Sequence, residues 1–160
     1  MSVLRVDDVP RVLVVDDESS AAEQLANQLR NDLEVEVLVR VDGYQGLDVL
    51  VNEHVDVAFV DMFMPGATGI QVLERLRSKG CDTPVVIMND LVTPDLAQQV
   101  ERYSKAFLIE KPVDAITLEA LLATLPRCPR PNRRGHLLDS WRFSALMVNV
   151  PTATLTSTSL

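Results

Sequence analysis

The chain has 160 residues and a mass of 17.7 kDa; 47% of its residues are hydrophobic, 24% are charged and its net charge is −8, a composition typical of a globular domain and not of a disordered chain. Two cysteines are too few for a disulfide framework, no apolar run approaches the roughly 20 residues that cross a bilayer, and the N-terminus lacks the pattern of a secretory signal. Secreted, membrane-spanning and zinc-stapled proteins are therefore disfavoured, and we expect a cytoplasmic protein.

Charge and composition divide the chain into three parts. Residues 1–125 hold 22 acidic and 10 basic residues, whereas residues 126–160 hold one acidic residue and five arginines. We expect an N-terminal arm at 1–10, one folded domain at 11–125, and a basic, Pro/Arg-rich linker with a flexible tail at 126–160. Because so acidic a body repels phosphates, nucleic acid is not the expected partner of this chain alone.

Short apolar runs alternate with helical patterns along residues 11–125. The apolar runs predict strands at 11–15, 34–41, 55–60, 84–88 and 106–109. Apolar residues at helical spacing predict helices at 19–33, 44–53, 70–79, 94–103 and 114–125. Strict alternation implies βαβ crossovers, so the predicted fold class is α/β, a five-stranded parallel sheet that is doubly wound as (βα)5.

The side chains that can carry chemistry follow the carboxyl ends of these strands. They are Asp16 and Asp17 after the first strand, Asp61 after the third, Asn89 and Asp90 after the fourth and Lys111 after the fifth. In a parallel sheet these ends share one edge, and ligands of such folds bind there. Helix capping is the alternative role for the three aspartates, but a lysine at the same edge favours a ligand-binding site.

Three carboxylates at one sheet edge repel one another, by roughly 3 kcal/mol for a pair about 5 Å apart at an effective dielectric constant near 20. A cation relieves this repulsion, and hard oxygen ligands suit Mg²⁺, which shares its other positions with water and phosphate. A lysine beside them can hold a phosphoryl oxygen. These residue types indicate a site where a carboxylate attacks phosphorus and the acyl phosphate is stabilised electrostatically.

Four segments, in this order and at this spacing, resemble the receiver domain of two-component response regulators: VLVVDDES at 12–19, FVDMFMPGATG at 59–69, PVVIM at 84–88 and EKP at 110–112. The resemblance implies the flavodoxin-like receiver fold, Mg²⁺ as cofactor, and a phosphorelay in which a histidine kinase or phosphotransfer protein is the partner. It implies a signalling switch that assists only its own phosphoryl transfer and hydrolysis, and is otherwise no enzyme. The face of helix four, strand five and helix five would serve a homodimer.

The resemblance also assigns roles to single residues. Asp61 would accept the phosphoryl group, and Lys111 would pair with this aspartate and with the phosphoryl oxygens. The protein ligands of Mg²⁺ would be Asp16 (mostly through water), Asp17, Asp61 and the backbone carbonyl of Phe63. Pro112 matches the proline that often follows the lysine in a cis bond.

The three switch positions that read the phosphorylation depart from the family pattern. The family has Thr or Ser where this chain has Asn89, a small residue where it has Asp90, and an aromatic residue where it has Leu108. Asp90 brings a negative charge toward the phosphoryl group, and Leu108 lacks a ring to reorient. A phosphorylation-independent pseudo-receiver, acting as a protein–protein interaction module, is therefore the alternative. An aspartate-nucleophile phosphatase is disfavoured because Phe63 stands where such enzymes often have a second aspartate.

Overall fold

A computed structural model describes residues 9–124 and the backbone of three two-residue strands beyond them. Strands and helices alternate as predicted: β1 (Arg11–Val15), α1 (Ser19–Asp32), β2 (Glu36–Arg40), α2 (Gly43–Asn52), β3 (Val57–Asp61), α3 (Gly69–Ser78), β4 (Val85–Asn89), α4 (Pro94–Glu101), β5 (Ala106–Glu110), α5 (Ala115–Thr124), β6 (Arg130–Pro131), β7 (Leu137–Leu138) and β8 (Thr156–Ser157). Most of the predicted N-terminal arm, and the predicted linker and tail apart from these short strands, lie outside the described residues.

Five parallel strands form one sheet in the order β2-β1-β3-β4-β5, which confirms the predicted α/β class and parallel sheet. The chain leaves β1 toward β2 and then crosses back to β3 on the other side. The order of the strands therefore reverses between β1 and β3, which opens a crevice at their carboxyl ends. Beyond β5, the short strand β8 pairs antiparallel with it, and β6 and β7 pair antiparallel with each other.

Helices cover both faces of the sheet because successive strand residues point to opposite sides. In β1, Val12 and Val14 belong to the core under α1 and α5, and Leu13 and Val15 belong to the core under α2, α3 and α4. All four of these side chains are fully buried. A strand that is apolar on both faces has to lie in the middle of a two-sided sheet, and this explains the continuous apolar run.

The loops at the carboxyl edge are held by the starts of the helices that follow them. Asp42 accepts hydrogen bonds from two backbone N–H groups of α2, Thr68 forms a capping box with Gln71 at the start of α3, and Thr93 caps α4. Each cap satisfies backbone donors that would otherwise lack a partner. Within the described part of the chain, no helix is long and apolar enough to cross a membrane.

Candidate functional site

A lysine bridges two carboxylates at the carboxyl edge of the sheet. Asp16 follows β1, Asp61 ends β3, and Lys111 follows β5. The Lys111 Nζ atom lies 2.7 Å from Asp16 Oδ2 and 2.8 Å from Asp61 Oδ1. Since β1 and β3 are the strands between which the order reverses, the two aspartates lie at the crevice where this fold binds ligands. The structure therefore brings these three predicted residues together.

The neighbouring aspartates 16 and 17 have opposite environments. Asp16 is buried, and besides its contact with Lys111 it accepts a hydrogen bond from the backbone N–H of Glu18 at 3.0 Å. Asp17 is exposed, and its carboxylate accepts no hydrogen bond from residues 9–124. The oxygens of Asp16 are thus occupied by protein donors, whereas those of Asp17 are available to a ligand.

The donor set at this edge fits Mg²⁺. One carboxylate oxygen from each of Asp16, Asp17 and Asp61 lies within 4.8 Å of the other two. Oxygen ligands of this kind, with one side open to solvent, are what Mg²⁺ takes in proteins because it keeps several waters. Phe63 lies two residues beyond Asp61 with 66% of its surface exposed, and the metal-ligand role of its carbonyl stays a prediction.

Burial and neighbouring charges set the ionisation of the bridged pair. Burial raises the pKa of Asp61, the hydrogen bond and charge of Lys111 oppose that rise, and the charges of Asp16 and Asp17 add to it; the pKa is raised overall. Burial by itself lowers the pKa of Lys111, but its hydrogen bonds to Asp16 and Asp61 and their charges outweigh this, so its pKa is raised. The lysine is therefore a fixed positive charge at neutral pH.

A cavity of about 290 Å³ opens beside the bridge, between α1 and the turn after β5. Its lining includes Asp16 and Lys111, Gln24 and Gln28 of α1, and Asp90. Asp90 thus shares a cavity with Asp16 and Lys111, and its approach to a phosphoryl group stays a prediction. An anion that enters here meets one lysine and at least two carboxylates.

Comparison with known proteins yields a consistent match. The model of the response regulator receiver domain family matches residues 12–123. The chain belongs to this family. Domains of the family act in two-component signalling, interact with histidine kinases and bind Mg²⁺ at an acidic pocket; they are not classical enzymes.

Single relatives agree with this assignment. The response regulator MprA of Mycobacterium sp. (strain KMS) is 37% identical over 79 residues, which cover 49% of this chain and 34% of that protein. The chain thus matches about a third of the length of that curated relative. The receiver domain of Francisella response regulator 1452 aligns with a TM-score of 0.66 and 26% identity over 72% of this chain and 95% of that one. The Vibrio cholerae chemotaxis protein CheY4 aligns with a TM-score of 0.66 and 25% identity over 74% and 99%.

Two of the three predicted switch positions, Asn89 and Leu108, are engaged within the fold. The Asn89 Nδ2 donates a hydrogen bond to the carbonyl of Leu91 at 2.9 Å, so its amide serves its own loop. Leu108 is fully buried in the core under α2, α3 and α4. The Lys111–Pro112 peptide bond is cis.

Sequence reasoning missed two residues around the receiver's site. Glu110 Oε2 accepts a hydrogen bond from the backbone N–H of Val92 at 3.3 Å. The Tyr44 hydroxyl donates to the carbonyl of Gly66 at 3.1 Å, which ties the loop before α3 to α2. Glu110 stands in the EKP segment at 110–112 and follows Leu108 at a spacing of two, on the same face of β5. Neither observation indicates its bond to Val92, and nothing pointed to Tyr44.

Proposed function

We propose that Asp61 accepts a phosphoryl group from a histidine kinase or phosphotransfer protein in a phosphorelay. The observation that carries this proposal is the Lys111 bridge between Asp16 and Asp61, at 2.7 and 2.8 Å, next to the exposed carboxylate of Asp17. A helix-capping role for the aspartates would not require a partly buried lysine from the end of another strand. The acceptor, its cationic partner and an open acidic ligand lie at one place.

The chemistry of the chain's own groups follows from their positions. One oxygen of Asp61 attacks phosphorus, the P–N bond to the donor histidine breaks, and the released imidazole nitrogen keeps the electron pair and takes up a proton from water. The hydrogen bond from Lys111 lowers the pKa of Asp61 against the effect of burial, which favours the ionised, nucleophilic form. Lys111 is also placed to donate to a phosphoryl oxygen. Bound by Asp17 and Asp61, Mg²⁺ would neutralise part of the phosphoryl charge.

Phosphate uptake from a small donor tests the acceptor. The chain is incubated with acetyl phosphate and Mg²⁺, and incorporation is followed by intact mass. We expect uptake by the native chain and by Asp82→Asn, and none by Asp61→Asn. Asp82 is a suitable control because it precedes β4, at the opposite end of the sheet, where it pairs with Lys105 at 2.7 Å. Equal uptake by Asp61→Asn and the native chain would show that another group is the acceptor.

The interaction module without phosphorylation is the second candidate, because Leu108 is fully buried and Asn89 is bonded within its own loop. Asp90 discriminates between the two functions. Its charge, in the cavity that Asp16 and Lys111 also line, would oppose an incoming phosphoryl group, so Asp90→Ala should speed uptake by roughly tenfold. If neither the native chain nor Asp90→Ala takes up phosphate while both bind Mg²⁺, the interaction module is the better account.

A further inference from the structure

The loop between β4 and α4, residues 90–93, has no aromatic switch side chain to connect it with the site. At position 108 the leucine is fully buried and belongs to the packed core. A side chain without a ring, held by neighbours on all sides, has no alternative exposed position to report. If the loop responds to the site in this chain, another residue has to make the connection.

Glu110 occupies the place that such a connection requires. It ends β5, directly before Lys111, and lies opposite Asn89 in the ladder between β4 and β5. Because side chains alternate along a strand, Glu110 lies on the same face of β5 as Leu108, the face covered by α4. Its Oε2 atom accepts the N–H of Val92 at 3.3 Å, 18 residues away in the sequence.

Lys111 is tied both to the site and to the base of the same loop. Its Nζ bridges Asp16 and Asp61, and its backbone N–H donates to the carbonyl of Asn89 at 2.8 Å. A phosphoryl group on Asp61 therefore adds negative charge next to Lys111. The residue before Lys111, Glu110, is the one that contacts the β4–α4 loop. Asp90, in the same loop, lines the cavity that Asp16 and Lys111 also line.

We propose that Glu110 is the positioning residue that couples the phosphoryl site to the β4–α4 loop, and that phosphorylation releases its hydrogen bond to Val92. The proposal rests on the proposed function of Asp61. The phosphoryl group brings a charge near −2, which repels Asp90 and moves the loop outward. The Glu110–Val92 bond is exposed, so water replaces it at little cost when the loop moves.

Release of this bond changes what the molecule presents to a partner. The loop carries Leu91, which is 63% exposed. Moving the loop repositions this apolar side chain on the α4 side of the site. A partner would then recognise the position of Leu91, which the contact between Glu110 and the loop controls.

Hydrogen exchange of the Val92 amide, measured by NMR on the full chain, tests the coupling. In the absence of Mg²⁺, Glu110→Ala should speed this exchange by about three- to tenfold, because the N–H loses its acceptor. Glu110→Gln, which keeps an acceptor oxygen, should stay near the native rate. Glu119→Ala, which removes an exposed carboxylate from α5, should change nothing. With Mg²⁺ and beryllofluoride, a phosphoryl mimic, the native amide should become as fast as in Glu110→Ala.

Each other outcome overturns the proposal in a distinguishable way. An unchanged Val92 rate in Glu110→Ala would show that the carboxylate does not hold the loop. Bound beryllofluoride with a native Val92 rate that does not change would show that Glu110 is merely structural. Failure of the chain to bind beryllofluoride, measured by fluorine NMR, would remove the proposed function first and the coupling with it.

Discussion

At the scale of single residues, burial decides what a lysine–aspartate pair does. Lys111 with Asp16 and Lys105 with Asp82 have the same N–O distance of 2.7 Å. The Asp16 side chain is 4% exposed and the Asp82 side chain is 66% exposed. An exposed pair is solvated and adds little stability, whereas a buried pair depends on each partner to compensate the other's charge. Loss of either partner of the Lys111–Asp16 pair should therefore be costly for the fold.

The raised pKa of Asp61 predicts a stabilising substitution. At a pH above this raised pKa, the folded protein carries an ionised Asp61, which burial and two neighbouring aspartates disfavour. At a pH below the unfolded pKa near 3.8, Asp61 is protonated in both the folded and the unfolded protein. Asp61→Asn should therefore raise the melting temperature without Mg²⁺ at neutral pH, by a few degrees Celsius. The gain should disappear as the pH falls through the raised pKa.

Asp82 provides the control with the opposite sign. The hydrogen bond from Lys105 lowers the pKa of Asp82 in the folded protein. The ionised Asp82 therefore stabilises the fold at a pH above the unfolded pKa, and this stabilisation is lost as the pH falls through the lowered pKa of the folded protein. Asp82→Asn should thus decrease the melting temperature slightly at neutral pH. Thermal unfolding of both variants between pH 3 and pH 7.5 gives two differences of opposite sign. A loss of stability in Asp61→Asn at neutral pH would mean that Asp61 serves as a structural cap.

At the scale of elements, the junction between β3 and α3 brings a helix against the end of β3 that carries Asp61. Gly69 is the first residue of α3, and its N–H donates to the carbonyl of Met62 at 2.8 Å. A Cβ atom at this position would lie 2.7 Å from the carbonyl oxygen of Asp61. Glycine is needed here because the helix and the backbone of Asp61 approach so closely.

Gly69→Ala should therefore disturb the site as well as the fold. The added methyl group forces the backbone at Asp61 to shift, which costs about 1 to 3 kcal/mol in the free energy of unfolding, and Mg²⁺ should bind more weakly. Gly80→Ala is the control: no atom lies within 4 Å of its Cβ, but its φ of +76° strains an alanine. It should also destabilise the fold, by about 1 kcal/mol, with no effect on Mg²⁺ affinity. Denaturant unfolding and Mg²⁺ titration separate the two effects.

At the scale of the whole molecule, the doubly wound topology is what assembles the site. Asp16 and Lys111 are 95 residues apart in the sequence and 2.7 Å apart in space. Five parallel strands place the ends of β1, β3 and β5 at one edge, and the helices on both faces keep that edge fixed. A ligand that bridges these strand ends should therefore stabilise the whole domain.

Mg²⁺ should raise the melting temperature of the chain with increasing concentration, because it binds the folded state alone. In Asp17→Asn the same increase should require at least about ten times more Mg²⁺, since one of the negative oxygen ligands is lost. Asp95→Asn, which neutralises an exposed aspartate of α4, is the matched control and should behave as the native chain does. Identical Mg²⁺ dependence in Asp17→Asn would contradict the assignment of the metal ligands.

Patterns within short segments were sufficient to predict the architecture. The apolar runs of β1, β3 and β4 and the helical spacing in α1 come from local periodicity, and the alternation of strands with helices leaves few topologies. Asp16, Asp61 and Lys111 stand at strand ends in the sequence itself. Once the strands form a parallel sheet, the topology alone places these three residues at one edge. Small differences remained at element ends: the predicted strand 34–41 is β2 at Glu36–Arg40, and the predicted helix 94–103 is α4 at Pro94–Glu101.

The tertiary structure decided what each side chain at that edge touches. Asp16 and Asp17 are neighbours in the sequence, and packing buries the first against Lys111 while leaving the second exposed. The bond of Asn89 to Leu91 and that of Glu110 to Val92 depend on how the loop after β4 lies against β5. Periodicity predicts which face a residue occupies, but not the partner it finds there. That partner is set by long-range packing, and this is why the common edge of Asp16, Asp61 and Lys111 was predictable from the sequence and the contact of Glu110 was not.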